Sequence, residues 1–94
     1  MRRAAKRDTV EASIVGALRK TGWSVEFLSM KDGPDLLLGL HGATYLAEVK
    51  TGKAKLRPGQ FIWHAQWGGG KVHVLRSVDD ALALREKVVS GELI

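Results

Sequence analysis

Cysteine is missing from this chain altogether. Disulfides and thiolate zinc sites are therefore excluded. Long apolar runs are missing too, and no stretch is long enough to span a bilayer. The first residues are basic, but no apolar segment of signal-peptide type follows them. Acid is in short supply: 10 Asp and Glu stand against 15 Lys and Arg, a net charge of +5. These absences predict a soluble cytoplasmic protein with no membrane partner. The charge imbalance suits a polyanion bound in a salt-dependent way, and is equally well explained by solubility.

Other chemistries fall away as well. The three histidines, His41, His64 and His73, read as a turn residue and two packing or surface residues, and no pair of them has zinc-ligand spacing. No Ser/His/Asp grouping is readable. Gly68-Gly69-Gly70 precedes a strand rather than a helix, so it is not a phosphate-binding loop. There is no internal repeat, low-complexity tract or linker. What is present is 94 residues, 45% of them hydrophobic, with three tryptophans. That predicts one small folded domain over residues 1–94 with a single core.

The stretch from Gly33-Pro34-Asp35 to Glu48-Val49-Lys50-Thr51-Gly52 organises the rest. His41-Gly42 is a two-residue hairpin signal between two apolar runs. With that loop, Leu40 faces Ala43, and counting outward puts Asp35 directly opposite Glu48. Opposed residues share a sheet face, with Cβ atoms about 5 Å apart. Alternation then puts Lys50 on the same face as Glu48. A four-residue loop would set Asp35 opposite Leu46, still on that face. A three-residue loop would put it on the wrong face. Two adjacent carboxylates repel, and either protonation of one or a divalent cation between them relieves the repulsion. Oxygen ligands and several retained waters suit Mg²⁺. With a lysine one strand repeat away, this is equipment for metal-assisted phosphodiester hydrolysis.

The chain before and after supplies further candidates. Asp8 to Glu11 fits a capping box, predicting a helix from there to about Lys20, stopped by Thr21-Gly22. Ile14, Val15 and Leu18 form its apolar stripe. Glu11 falls on the same face, either capping its own helix end or pointing at the sheet as a third acid. Ahead of it, Arg2, Arg3, Lys6 and Arg7 form a basic lead-in that would track a phosphate backbone or simply be solvated. Trp23–Leu28 alternates as a first strand, Leu36–Leu40 reads as a buried central strand, and Ala43–Val49 as a third. Lys53, Lys55 and Arg57 then line a turn beyond Lys50 and would hold DNA phosphates. Pro58 opens a second helix to about Trp67. Gln60, Trp63, His64 and Trp67 share one of its faces, with Phe61 and Ala65 on another. Its aromatics read as core or subunit contact ahead of base-stacking platforms. Lys71–Arg76 is a fourth strand. Ser77 to Asp80 is a second capping box, leading a helix to about Ser90 that includes Leu82 and Val89.

This order, with Pro34-Asp35 at one strand and Glu48-Val49-Lys50 at the next, resembles the PD-(D/E)xK nuclease superfamily. The Glu48-Val49-Lys50-Thr51 run and Leu56-x-Pro58-x-Gln60-x-x-Trp63 are similar, more specifically, to the VRR-NUC family in its small stand-alone phage and bacterial form. The resemblance covers nearly the whole chain. It implies an α/β, restriction-endonuclease-like core in the order α-β-β-β-α-β-α, a mixed central sheet flanked by helices. It implies Asp35, Glu48 and the main-chain carbonyl of Val49 as ligands of Mg²⁺ or Mn²⁺. Lys50 would assist attack by water and stabilise charge on the phosphate. Glu11 matches the acid that the first helix often contributes, and Gln60 the glutamine of the following helix. The implied activity is that of a structure-selective DNA endonuclease, extending to Holliday junction resolution, working as a homodimer on branched DNA. A non-catalytic nucleic-acid-binding module on the same fold, using Lys53, Lys55 and Arg57, is the alternative. A dimer-forming accessory protein with a tryptophan interface is the third reading.

Overall fold

The structure, a computed structural model, describes residues 2–93, with side chains from Thr9 onward. Its elements are α1 (Arg2–Lys20), β1 (Ser24–Phe27), β2 (Leu36–Leu40), β3 (Ala43–Val49), α2 (Pro58–Gln66), β4 (Val72–Leu75) and α3 (Val78–Val89). The expected α-β-β-β-α-β-α order is the observed one. The strands form one mixed sheet in the order β1-β2-β3-β4. β1, β2 and β3 pair antiparallel, while β4 runs parallel to β3 after the crossover through α2. No helix among the described residues is long and apolar enough to cross a membrane.

The hairpin between β2 and β3 has the two-residue loop. His41 (φ 53°) and Gly42 (φ 82°) both lie in the left-handed region that a primed turn requires. Leu40 pairs with Ala43, and the ladder continues to Leu36 opposite Ala47. This register gives the two sheet faces different jobs. Leu36, Leu38, Ala47, Val49 and Leu75 join Ile14, Leu18 and Leu84 in the core. Glu48 and Lys50 belong to the opposite face, where α2 lies.

Two expectations, both of capping boxes, need correction. The first helix begins at Arg2, not at the Asp8 capping box. Arg, Ala and Lys are good helix formers, and nothing between Arg2 and Asp8 stops the helix. Glu11 therefore sits well inside α1, and the reading in which it caps its own helix end is lost. The side chains of Arg2, Arg3, Lys6, Arg7 and Asp8 lie outside the described residues. In α3, Ala81, Leu84 and Val88 face the core, whereas Leu82 and Val89 are exposed. The second capping box is half made. Ser77 Oγ accepts from the Asp80 amide at 3.1 Å, but Asp80 Oδ2 takes the amide of Arg76 at 2.8 Å.

Candidate functional site

Glu48 and Lys50 are placed by strand alternation on the α2 face of the sheet, while Val49 between them points into the core. Both charged side chains are buried: Glu48 is 0% exposed and Lys50 6%. Moving an ammonium and a carboxylate out of water costs several kcal/mol per ion unless partners replace the water. The partners come from each other and from one amide. Lys50 Nζ lies 3.5 Å from Glu48 Oε2. Lys50 Nζ donates to Gln60 Oε1 at 2.6 Å, and Gln60 Nε2 donates to Glu48 Oε2 at 2.6 Å. Gln60, itself buried, thus bridges the two ions.

The helix start explains why Gln60 reaches them. Pro58 occupies the first helical position, where its missing N–H does no harm. Gln60 is the third helical residue, and its Oε1 also accepts from the amide of the N-cap residue Arg57 at 3.0 Å. This is the reaching-back half of a capping box. An arginine has no acceptor with which to return the bond. The two donors on Oε1 and the carboxylate on Nε2 fix which way the amide faces. The flipped amide would point its NH₂ at an ammonium and a backbone N–H.

Asp35 joins the group by a route that the sequence did not show. The ladder ends one pair short of it, and Asp35 is a bend before β2. Its amide donates to Ala47 O at 3.0 Å, and its Oδ2 accepts from the Val49 amide at 2.8 Å. These two bonds bracket Glu48. Asp35 therefore lands beside Glu48 on β3 without being its ladder partner, which corrects the expected direct opposition.

The approach of α2 is secured by the loop before Asp35. Asp32, at φ 62°, sets its carboxylate against Gly59 in the first turn of α2. A Cβ on Gly59 would stand 2.5 Å from Asp32 Oδ2, so a larger residue here would push the Asp32 carboxylate aside. Arg57 Nη2 lies 3.6 Å from Asp32 Oδ1, an exposed pair that contributes little by itself.

Lys53, Lys55 and Arg57 are all exposed on the connection from Lys50 to α2. That connection is pinned by Arg76, whose Nη1 donates to Gly52 O at 3.0 Å and Ala54 O at 2.7 Å. Arg76 had no role in the sequence reading, because its partners are backbone carbonyls more than twenty residues away.

Glu11 is half-buried on α1, which packs on α3 and β1. It does not complete a cluster of acids. Among the described residues, no group of three or more His, Asp or Glu side chains is set to hold a metal ion. The donor set near the hairpin end is two carboxylates with main-chain carbonyls, all oxygen. A hard cation that keeps several waters, such as Mg²⁺, matches a set of this kind. The bonds to Asp35 Oδ2 and Glu48 Oε2 orient these carboxylates. A carboxylate has about four acceptor positions, so they remain suitable ligands.

His64, one helical turn beyond Gln60, is half-buried, and its Nε2 is buried without a hydrogen-bond partner. Burial holds its pKa below the ordinary 6.5, and the Lys50 charge pushes in the same direction. Trp63 stacks on Trp67, with centroids 5.0 Å apart and planes at 15°. Trp63 is half-buried, while Trp67 ends α2 and is largely exposed.

No family model, no curated protein and no solved structure matches this chain.

Proposed function

We propose that this protein is a metal-dependent DNA endonuclease of the PD-(D/E)xK type, of the small VRR-NUC kind, with a restriction-endonuclease-like core. The observation that supports this reading most is the buried chain from Glu48 through Gln60 to Lys50 beside the oriented carboxylate of Asp35. A binding module has no need of a desolvated acid and ammonium on the sheet face, and apolar residues would fill the same space at lower cost.

Asp35, Glu48 and the carbonyl of Val49 would hold Mg²⁺ or Mn²⁺. The cation would supply Lewis-acid polarisation of the phosphodiester and a nucleophilic water at neutral pH. The ammonium of Lys50 stabilises negative charge building on the phosphate oxygens, and acts strongly because it is shielded from solvent. Gln60 is a positioning residue that holds the ammonium and Glu48 at fixed separation. Lys53, Lys55 and Arg57 collect the DNA backbone at the rim. Two copies of the chain would offer one site for each strand of a branched substrate such as a Holliday junction.

The test is incubation with labelled four-way junction, flap and linear duplex DNA in Mg²⁺, Mn²⁺ or EDTA. Cutting that requires metal and vanishes in Asp35→Ala and Lys50→Ala supports the proposal. Binding without cutting, unchanged by Asp35→Ala, would leave only the basic rim in use and a non-catalytic binding module in its place.

A further inference from the structure

Next to the acid–lysine site lies a conspicuous exposed apolar surface. Phe61 is 65% exposed and Ile62 53%. They follow Gln60 directly, so the same helical turn that sends Gln60 inward sends them out to solvent. With Leu56 they floor an open groove between α2, β4 and the connection from Lys50, and its charged lining residues are Lys55 and Arg76. Among the described residues, no acid lines this groove. Arg57, whose side chain is 61% exposed, stands beside it at the start of α2.

An apolar floor with cationic edges fits one class of occupant well. A nucleobase offers a flat apolar face for an aromatic ring, and its phosphates pair with lysine and arginine. A second copy of this chain fits poorly. A two-fold contact would set the same patch on both subunits and bring Lys55 and Arg76 against their own images, with no acid among the described lining residues to offset them. Duplex DNA cannot use the floor either, because its base faces are stacked inside the helix. An unpaired nucleotide matches both the apolar floor and the cationic edges.

We propose that this groove binds single-stranded DNA, with an unpaired base stacked on Phe61 and the flanking phosphates on Lys55 and Arg57. The proposal rests on the nuclease reading in one respect: it names the substrate class as DNA with an unpaired segment next to the scissile site. Arg76 acts here by pinning Gly52 and Ala54, which holds the connection that carries Lys55 in place along the groove.

The experiment is fluorescence anisotropy with a labelled oligothymidylate and a blunt duplex of equal length, in EDTA so that no cleavage enters. Wild-type protein is expected to bind the single strand more tightly than the duplex. Phe61→Ala should weaken single-strand binding about 5- to 100-fold, the range for one lost base–aromatic stack, and leave duplex binding unchanged. Phe61→Trp should restore it. Phe61 is exposed, so its substitution leaves the fold intact, checked by circular dichroism. Equal loss on both DNAs, or no loss on either, overturns the proposal. So does conversion of a dimer to a monomer by Phe61→Ala in sedimentation, or displacement of the protein from Phe61-dependent binding to an acidic peptide instead of DNA. Phe61-dependent single-strand binding without cutting in any metal would remove the nuclease reading and keep the groove. Metal-dependent cutting with no dependence of binding on Phe61 would do the reverse.

Discussion

Gln60 donates to Glu48 across a 2.6 Å hydrogen bond between side chains that are 3% and 0% exposed. The other end of the same amide accepts from Lys50 at 2.6 Å. One neutral residue therefore replaces water for two buried ions at once. Gln60→Ala removes two buried hydrogen bonds to charged groups, each contributing about 1.5–3 kcal/mol. The expected loss of stability is about 3 kcal/mol or more, read from urea unfolding, with cleavage falling in parallel. Gln60→Glu keeps the shape but sets a second carboxylate against Glu48, and should be no better than Gln60→Ala.

Lys50→Met keeps most of the volume and removes the ammonium. Breaking one side of a buried ion pair costs about 3–5 kcal/mol. The double variant Lys50→Met/Glu48→Gln removes both charges of the pair and should recover part of that loss in urea unfolding. Both variants should be without nuclease activity. Recovery of stability without recovery of activity separates the structural from the chemical role of Lys50.

The contact of Asp32 with Gly59 predicts a sign reversal. Alanine is favoured over glycine in a helix by about 0.5–1 kcal/mol. In the wild-type background, Gly59→Ala forces Asp32 aside, because the new Cβ would lie 2.5 Å from Oδ2 and 2.7 Å from Cγ. That variant should be neutral or destabilised. In an Asp32→Gly background, the same change should stabilise the protein. A double-mutant cycle on thermal unfolding measures the coupling directly.

The two half-buried histidines, His64 and His73, predict acid sensitivity. Burial lowers the pKa of His64, with Lys50 adding to the effect. Burial also lowers that of His73, with Lys71 and then Lys87 adding to it. The unfolded chain then takes up protons near pH 6.5 before the folded one does. Stability contributed by the neutral rings is complete above that pH and is lost as pH falls toward the lowered folded values. Unfolding midpoints should therefore drop between pH 7.5 and pH 5. His73→Phe, which keeps an aromatic edge toward Tyr45, should flatten the drop.

Much of this site was legible in the sequence for local reasons. The two-residue turn at His41-Gly42 fixed the pairing of β2 with β3, and period-two alternation then put Glu48 and Lys50 on one face. Pro58 marked the start of α2 closely enough to put Gln60 in its first turn. What was not legible depends on contacts between distant residues. The bend at Asp35 is set by its bonds to Ala47 and Val49, so counting along the ladder gave the right neighbourhood but the wrong pairing. The capping box at Asp8 misplaced the start of α1 because a capping signal does not end a helix made of good helix formers. The Asp32–Gly59 approach and the Arg76 clamp on Gly52 and Ala54 have no sequence signature. Glu11 is half-buried on α1 and, among the described residues, joins no three-acid group.

The most direct measurement is anomalous diffraction from crystals grown with Mn²⁺. The expected result is a peak between Asp35 and Glu48, with oxygen ligands from both carboxylates, that disappears in Asp35→Ala. A map with no Mn²⁺ at this position, from crystals whose protein still cuts DNA in Mn²⁺, would contradict the assignment of the carboxylate pair as the metal site.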